Sequence, residues 1–389
     1  MDNRERNEKG VGSANDINRR EFLKFCSAVA VAIGLAPSFG SKVAAALMAA
    51  NRPPVLWLHF AECTGCTEAV LRSVNPFFDD LILGTISLDY HETLMAGAGA
   101  TVHDILTTSA ENYKGQFFCV VEGSIPTAQN GIFGTVNGRT MLSVAREICP
   151  KAKAIIAIGN CASFGGIPAA VPNPTGAKNV IAALKDLTLP QVINVPGCPP
   201  NPVSFVGVIA NYLLKGALPE TDQYLRPLFA YGSTVHEYCP FLHDTDPTTG
   251  RCLKPKGCKG PNTVNNCTTV KYNNATNFPM NAGHVCIGCS DPTFWDMNTP
   301  FWGFLAADTA LPPTPSEIFE KDVNPIAIRP TVRKLAPSFT QKENEKVFDV
   351  LGRRVSSTMQ RVPGRRMAPG MYIDKTQSRI RKILGLQNR

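Results

Sequence analysis

The sequence lacks long apolar runs and is poor in charged residues. Only 18% of its 389 residues are charged and 44% are hydrophobic, a balance typical of a globular protein. The mildly apolar segment from Phe25 to Ala36 is too short to span a bilayer, and nothing after Pro312 approaches a spanning length. We therefore expect no transmembrane helix.

The sequence also has no excess of acidic residues. Its net charge of +8 is unevenly distributed along the chain. Residues 321–389 carry 16 Lys and Arg against 5 Asp and Glu, a net charge of +11, so the rest of the chain carries −3. Few aromatic residues interleave with these cations, which speaks against a single-strand binding surface. The basic character belongs to the tail, and we expect no nucleic-acid partner for the folded body.

Thirteen cysteines are an odd number and suit a simple disulfide framework poorly. Cys63 and Cys66 lie in a short loop between an apolar run, residues 55–60, and a run with helical character, residues 67–71. Two cysteines at this spacing can bind one metal or cluster, because the intervening turn lets both sulfur atoms point the same way. Redox dithiols, zinc sites and buried structural pairs share this spacing, so the pair alone does not show which kind of site Cys63 and Cys66 form.

Residues 1–50 have the features of an export signal. Arg19 and Arg20 precede the mildly apolar segment, and the small residues at 44–46 and 49–50 offer cleavage sites. The pattern resembles the twin-arginine signal, whose pathway carries folded cargo. Export in the folded state would let a metal centre be inserted in the reducing cytoplasm. We expect the protein in the periplasm or on the outer face of the cytoplasmic membrane.

Residues 51–215 predict an α/β domain with a parallel sheet. Four apolar runs indicate buried strands at residues 55–60, 117–121, 154–158 and 191–195, and the alternating residues 85–91 indicate a half-exposed strand. Helical patterns occupy residues 139–148, 177–187 and 202–214, the last with Asn201 as N-cap. Strands that alternate with helices favour parallel pairing.

Cysteines follow three of these strands at the point where each ends. Cys161 follows the third buried run and Cys198 the fourth, as Cys63 and Cys66 follow the first. Since the carboxyl ends of parallel strands share one edge, we expect the four thiols to meet there. Four thiolates are the usual complement of a 4Fe–4S cluster. Two further cysteines, Cys119 in a strand run and Cys149 at a helix end, are interpreted as buried apolar residues.

From residue 216 to 310 the apolar periodicity fades and cysteines become denser. One candidate set has four potential ligands, namely His236, Cys239, Cys252 and Cys258. A second has three, namely Cys267, Cys286 and Cys289. A loop-rich region with little apolar periodicity needs another source of stability, and bound metal clusters would provide it. Taken alone, the first set also fits a zinc site with one His and three Cys.

The motifs together resemble the small, electron-transferring subunit of nickel–iron hydrogenases over about residues 53–305. The resemblance rests on Glu62-Cys63-Thr64-Gly65-Cys66-Thr67-Glu68, Glu122-Gly123-Ser124-Ile125-Pro126, Gly159-Asn160-Cys161, Pro196-Gly197-Cys198-Pro199-Pro200-Asn201-Pro202, His236-Glu237, Cys239, Gly257-Cys258-Lys259-Gly260-Pro261, Asn266-Cys267, Gly283-His284 and Cys286-Ile287-Gly288-Cys289.

The resemblance implies a flavodoxin-like domain, residues 51–215, and a second domain stabilised by iron–sulfur clusters, residues 216–310, with a basic extension at 311–389. It implies three clusters, whose ligands are Cys63, Cys66, Cys161 and Cys198 for a proximal 4Fe–4S cluster, His236, Cys239, Cys252 and Cys258 for a distal 4Fe–4S cluster, and Cys267, Cys286 and Cys289 for a medial 3Fe–4S cluster. Pro279 stands where some relatives have a fourth Cys, which favours three irons there.

By the same resemblance, no catalytic residue lies on this chain and the nickel–iron centre belongs to a large-subunit partner. Glu62 is a candidate proton relay, with an ordinary loop carboxylate as the alternative. Gly65 and Gly166 stand where oxygen-tolerant relatives place extra cysteines, so an ordinary proximal cluster is expected. A cytochrome or a quinone-linked membrane subunit would accept the electrons. Two alternatives stay open, a cluster subunit of a respiratory quinone oxidoreductase and an exported zinc- or disulfide-stabilised binding protein.

Overall fold

The chain forms two compact units, residues 1–326 and residues 327–389. The computed structural model describes residues 23, 26–27, 30, 35–49, 52–73, 85–246, 250–273, 275–292, 294–295, 314–319, 347–349, 354–355, 370–374 and 379–383. Within these residues, no helix combines the length and the apolar character needed to cross a membrane. Arg19 and Arg20 of the expected export signal lie outside them.

The first unit is built on five parallel strands with helices on both faces. In chain order its elements are α1 (Gly40–Ala49), β1 (Pro54–His59), α2 (Gly65–Leu71), β2 (Ser87–His91), α3 (Ala100–Asn112), β3 (Phe118–Glu122), β4 (Ile125–Pro126), β5 (Thr135–Val136), β6 (Arg139–Thr140), α4 (Met141–Ile148), β7 (Ala154–Ile158), α5 (Gly159–Phe164), β8 (Ala177–Lys178), α6 (Val180–Ala183), β9 (Gln191–Val195), α7 (Pro202–Lys215), α8 (Leu228–Tyr231), α9 (Cys267–Val270) and α10 (Pro315–Phe319).

The main sheet has the strand order β2-β1-β3-β7-β9, and every pair in it is parallel. This confirms the predicted parallel α/β architecture. The central strands β3 and β7 are buried along their whole length, whereas the first three residues of edge strand β2 are partly exposed. Strand β2 is therefore the half-exposed strand that the alternation at residues 85–91 predicted.

Two apolar layers cover the two faces of this sheet. On one face Val55, Trp57 and Ile156 pack with Phe205 of α7, and on the other Leu56 and similar side chains pack with α3 and α4. Burying a side chain such as Phe205, which is 0% exposed, stabilises the fold by about 2–3 kcal/mol. These layers hold the strand ends, and hence the loops that follow them, in fixed positions.

Part of the predicted export segment packs on the first of these layers. Cys26, Ala30 and Val43 are each 0% exposed and belong to the same apolar cluster as Phe205. Helix α1 therefore packs on the α7 side of the sheet through Val43.

Two predicted helices differ from the observed ones. The pattern at 139–148 begins with a short hairpin strand, β6, and the helix starts only after Thr140, whose hydroxyl accepts the N–H of Ser143. The helix predicted at 177–187 was wrong over most of its length. Residues 177–178 pair with β4, and α6 spans only four residues after Asn179 caps it. Helix α7 begins as predicted, with the Asn201 side chain accepting the N–H of Val203.

Residues 216–295 contain little regular structure, as the fading periodicity predicts. Besides α8 and α9, this part holds 3-10 turns at Lys254–Lys256 and Pro279–Ala282. Its small apolar cluster includes Val235, Phe241 and Phe278 together with several of the candidate cysteines.

The described residues of the second unit form four short antiparallel strands, which the sequence analysis did not predict. They are β10 (Val347–Asp349), β11 (Arg354–Val355), β12 (Gly370–Asp374) and β13 (Arg379–Ile383), in the sheet order β11-β10-β12-β13.

Candidate metal centres

The first candidate centre starts in the loop between β1 and α2. Thr64 adopts a left-handed backbone conformation, with φ of 62°, and helix α2 starts at Gly65 directly after it. The N–H groups of Cys66 and Thr67 then donate hydrogen bonds to one carboxylate oxygen of Glu122, at 3.0 and 3.2 Å. This carboxylate at the end of β3 therefore fixes the start of the helix that carries Cys66.

The structure brings the four predicted thiols of this centre together. Burial raises the pKa of the Cys66 thiol well above its usual range, and negative charge on Glu122, Cys161, Cys198 and Cys63 raises it further. Burial likewise raises the pKa of Cys161 to about 12, with charge on Cys198 and Cys63 adding to the effect. These mutual effects require short separations. The N–H of Asn160 donates to the carbonyl of Gly197 at 2.9 Å, and the sulfur of Cys66 lies against Gly159, so the loops that follow β1, β7 and β9 meet at one edge of the sheet, as expected.

Glycines keep the space around these sulfur atoms open. A side chain on Gly159, where φ is +82°, would overlap the sulfur of Cys66, and one on Gly166, where φ is +57°, would lie 2.7 Å from the sulfur of Cys161. Buried thiols with raised pKa values hold their protons until a metal replaces them. Three such thiols, Cys66, Cys161 and Cys198, together with the exposed Cys63 thiol, surround a glycine-lined space and fit the ligand set of a 4Fe–4S cluster.

A network of buried polar side chains lies beside this centre, and sequence reasoning identified only one of its members. His59 contacts Glu62 at 3.3 Å and His91 at 3.4 Å. Burial, and then charge on His59, lowers the pKa of His91 to about 3, so this ring is neutral near pH 7. One carboxylate oxygen of Glu62 is buried without a hydrogen-bond partner among the described residues.

This network includes a group of three ligand-type side chains within 4.8 Å of one another, His59, Glu62 and Glu122. Glu122 already accepts four hydrogen bonds, from Trp57, Cys66 and twice from Thr67. Those bonds use the lone pairs that a metal ion would need. The group is therefore better described as a hydrogen-bond network than as a metal site.

The second candidate centre, predicted from His236, Cys239, Cys252 and Cys258, lies in adjoining loops. Burial raises the pKa of Cys239, and charge on Cys258 and Cys252 adds to the rise. The N–H of His236 donates to the carbonyl of Gly260 at 3.0 Å, which joins the histidine loop to the loop of Cys258. Partial burial, with charge on Lys254 and His243, lowers the pKa of His236. A neutral imidazole is the form that binds metal.

The third candidate centre consists of Cys267, Cys286 and Cys289. Burial, then charge on Cys286, raises the pKa of Cys267 to about 12. Burial also raises the pKa of Cys289 to about 12. Pro279 begins a 3-10 turn whose next side chain, Met280, is buried in the same apolar cluster as Cys267 and Cys286.

The third set adjoins both of the others. The Cys289 thiol is hydrogen-bonded to the backbone of Cys198, which belongs to the first set. The sulfur of Cys258, in the second set, accepts the N–H of Cys286 at 3.3 Å. The three sets therefore follow one another in space in the order first, third, second, which differs from their order in the sequence.

The two cysteines predicted to be apolar core residues lie away from the three sets. Cys119 and Cys149 are both 0% exposed, and their sulfur atoms are 3.9 Å apart within the apolar layer on the α3 side of the sheet.

Comparison with known proteins finds a matching family model for each of two parts of the first unit. A family model described as NADH ubiquinone oxidoreductase, 20 Kd subunit, matches residues 63–212, and a model of the C-terminal part of the NiFe/NiFeSe hydrogenase small subunit matches residues 231–302. The periplasmic NiFe hydrogenase small subunit 1 of Nitratidesulfovibrio vulgaris is 52% identical over 298 residues, which are 74% of this chain and 93% of that protein.

Other similar proteins include the quinone-reactive Ni/Fe-hydrogenase small chain of Wolinella succinogenes, 44% identical over 73% of this chain and 83% of that protein. Among solved structures, the NiFeSe hydrogenase of Desulfomicrobium baculatum matches with a TM-score of 0.61 and 37% identity, covering 65% of this chain and 99% of that one. Identity at this level over nearly the full length of the relatives shows that the chain belongs to the family of nickel–iron hydrogenase small subunits.

Proposed function

We propose that the three side-chain sets hold three iron–sulfur clusters in a row. Cys63, Cys66, Cys161 and Cys198 would hold the proximal 4Fe–4S cluster. Cys267, Cys286 and Cys289 would hold a medial 3Fe–4S cluster, and His236, Cys239, Cys252 and Cys258 the distal 4Fe–4S cluster. The contacts from Cys198 to Cys289 and from Cys286 to Cys258 support this order.

The side chains of this protein bind, orient and shield these groups. When bound, iron–sulfur clusters accept and release single electrons. The thiols provide the anionic ligands, and neutral His236 replaces one of them with an uncharged donor, which makes the distal site less negative. Glu122 holds the loop of the first pair in place, and Glu62 holds a proton-accepting oxygen beside it.

The names of the relatives support a periplasmic location and a quinone-linked electron acceptor. Two relatives are named periplasmic and one is named quinone-reactive. We propose that this chain is exported folded by the twin-arginine route. The nickel–iron centre, where H2 and two protons with two electrons interconvert, lies on a large-subunit partner. A cytochrome or a quinone-linked membrane subunit would take the electrons.

Anaerobic purification of the heterodimer tests the cluster assignment. Two four-iron clusters and one three-iron cluster give about 11 iron atoms on this chain, and the nickel–iron centre of the partner adds about one more per heterodimer. The complex is expected to reduce an artificial dye with H2. Replacing Cys286 with Ala should remove about three irons, whereas the same change at Cys119, a buried cysteine outside the three sets, should remove none.

Three results would contradict the proposal. A folded, colourless and iron-free protein would favour the zinc-stabilised alternative. A nickel-containing complex with full iron content but no dye reduction would contradict the hydrogenase function. Equal iron loss in the Cys119 and Cys286 variants would contradict the ligand assignment.

A further inference from the structure

One arginine beside the third side-chain set is almost completely buried. Arg226 is 4% exposed. Its Nε–H group donates to a carboxylate oxygen of Asp222 at 2.7 Å, and its Nη1 atom donates to the carbonyl of Ser290 at 3.3 Å. Ser290 comes directly after Cys289 in the chain. The guanidinium group therefore joins an acid of its own loop to the loop that carries a thiol of the third set.

Two tyrosine rings enclose this guanidinium group. Its central carbon lies 5.0 Å from the ring centre of Tyr224 and 5.8 Å from that of Tyr231. Both tyrosines are buried, and the hydroxyl of Tyr231 donates to the carbonyl of Pro196 at 2.7 Å, two residues before Cys198 of the first set. The rings exclude water from the cation, and the cation–π contacts replace part of the hydration that it loses.

The charge on Arg226 acts on the same side chains as the charge on the third set. Burial raises the pKa of Tyr231, charge on Arg226 opposes this rise, and charge on Cys289 adds to it. Burial also raises the pKa of Asp291, two residues after Cys289, and the hydroxyl of Thr263 and then charge on Arg226 oppose the rise. The cation and the third set are therefore close enough to interact in a medium where charges are poorly screened.

Hydrogen bonds hold the arginine in this position from both loops. The second carboxylate oxygen of Asp222 accepts the N–H groups of Tyr224 and Arg226, each at 2.9 Å. On the other loop, the hydroxyl of Ser290, a residue that is 0% exposed, donates to the carbonyl of Val264 at 2.9 Å. The buried cation is therefore a fixed feature of the contact between the two loops.

We infer that the buried charge of Arg226 raises the reduction potential of the cluster that the third set holds. The inference rests on the proposed function, which places a 3Fe–4S cluster there. Reduction adds one negative charge to the cluster, so a nearby cation stabilises the reduced form more than the oxidised form. Asp222 opposes this effect because it lies beside the same guanidinium group. Removing the cation and removing its counter-charge should therefore shift the potential in opposite directions.

A redox titration of the anaerobic heterodimer at one fixed pH, followed through the EPR signal of the oxidised three-iron cluster, tests the inference. Arg226→Gln should shift the one-electron equilibrium about tenfold toward the oxidised form, which is a decrease in potential of about 59 mV. Arg226→Lys keeps the charge and should stay within about threefold of wild type. Asp222→Asn keeps the oxygen that accepts two N–H groups and should shift the equilibrium toward the reduced form.

Arg146→Gln is the matched control. Arg146 also forms an ion pair with an aspartate, Asp186, at 2.6 Å, but both side chains are exposed. Water and salt screen such a pair. Its loss should leave the potential of the three-iron cluster unchanged, and the iron content of every variant should equal that of wild type.

The outcomes separate this inference from the proposed function. An unchanged potential in Arg226→Gln, or an equal decrease in Arg226→Lys or in the Arg146 control, overturns the role of the buried charge. A lower potential in Asp222→Asn overturns it as well, and this variant decides the sign even where Arg226→Gln loses the cluster. A wild-type complex with iron but without the three-iron signal overturns the cluster assignment and the inference with it. A normal wild-type signal with unshifted variants overturns the inference alone.

Discussion

Replacing Glu122 with Gln is expected to destabilise the loop that carries the first cysteine pair. The Glu122 side chain is 1% exposed. One carboxylate oxygen accepts the N–H groups of Cys66 and Thr67, at 3.0 and 3.2 Å. The other accepts the indole N–H of Trp57 at 3.1 Å and the hydroxyl of Thr67 at 2.6 Å.

The size of the effect follows from counting donors. Glutamine keeps one acceptor oxygen, and its NH2 group would face the Trp57 N–H, which cannot accept a hydrogen bond. The Thr67 hydroxyl can turn and accept, so one hydrogen bond is lost and the other three become neutral. A bond to a charged group contributes about 1.5–3 kcal/mol and a neutral one about 1 kcal/mol. Relief of a buried charge offsets part of the loss, which leaves about 3 kcal/mol.

Thermal unfolding of the anaerobic heterodimer measures this loss. For a domain of this size, about 3 kcal/mol lowers Tm by about 6–12 °C. Thr67→Val removes one donor and leaves the carboxylate, so a smaller decrease is expected. Glu147→Gln, at a partly exposed carboxylate that pairs with Arg139 and Lys151, should shift Tm by about 1 °C or less. A Glu122→Gln protein with the Tm of the Glu147 control would refute the reasoning.

Three other perturbations have expected outcomes. Gly159→Ala should remove about four irons, because the new methyl group overlaps the Cys66 sulfur, whereas Gly138→Ala, with φ of +72° and open space, should remove none by iron analysis. His91 has a pKa of about 3 in the fold and about 6.5 when unfolded, so the unfolded chain takes up the proton first and stability falls below pH 6.5. The difference between pH 7.5 and 5.0 should reach about 2 kcal/mol in denaturant titrations and vanish in His91→Gln. Deleting residues 327–389, a separate compact unit, should leave H2-driven dye reduction within about twofold of wild type, and loss of the large subunit from the truncated complex would contradict this.

The strands were predictable because their signal is local. Residues 154–158 are a continuous apolar run, residues 191–195 contain three apolar residues, and the structure has strands at the same residues. A strand that is buried on both faces of a sheet can be identified from its own apolar residues, without information from the rest of the chain. The helix pattern at 177–187 failed because tertiary pairing competes with it. Two of its residues join β4, and Asn179 then caps a shorter helix.

The meeting of the loops that carry the first cysteine set was predictable for a related reason, since the carboxyl ends of parallel strands share one edge. The buried network around Glu122 was not, because it depends on the register between strands. His59 pairs with Glu122 across β1 and β3, and Trp57 pairs with His91 across β1 and β2. A polar residue at the end of an apolar run gives no information about which strand lies beside it or in which register.

The spatial order of the three sets explains why Asn160 is buried. Its amide NH2 donates to the carbonyls of Cys289 and Asp291, at 3.0 and 2.8 Å, and its own N–H donates to the carbonyl of Gly197 at 2.9 Å. The side chain and the backbone N–H of this one residue thus join the loops of Cys161, Cys198 and Cys289, which belong to two sets. The distance between those sets is therefore fixed by hydrogen bonds to the backbone. A substitution that preserves every cysteine but removes this amide would leave the thiols of both sets in place and loosen the contact between the first and third sets.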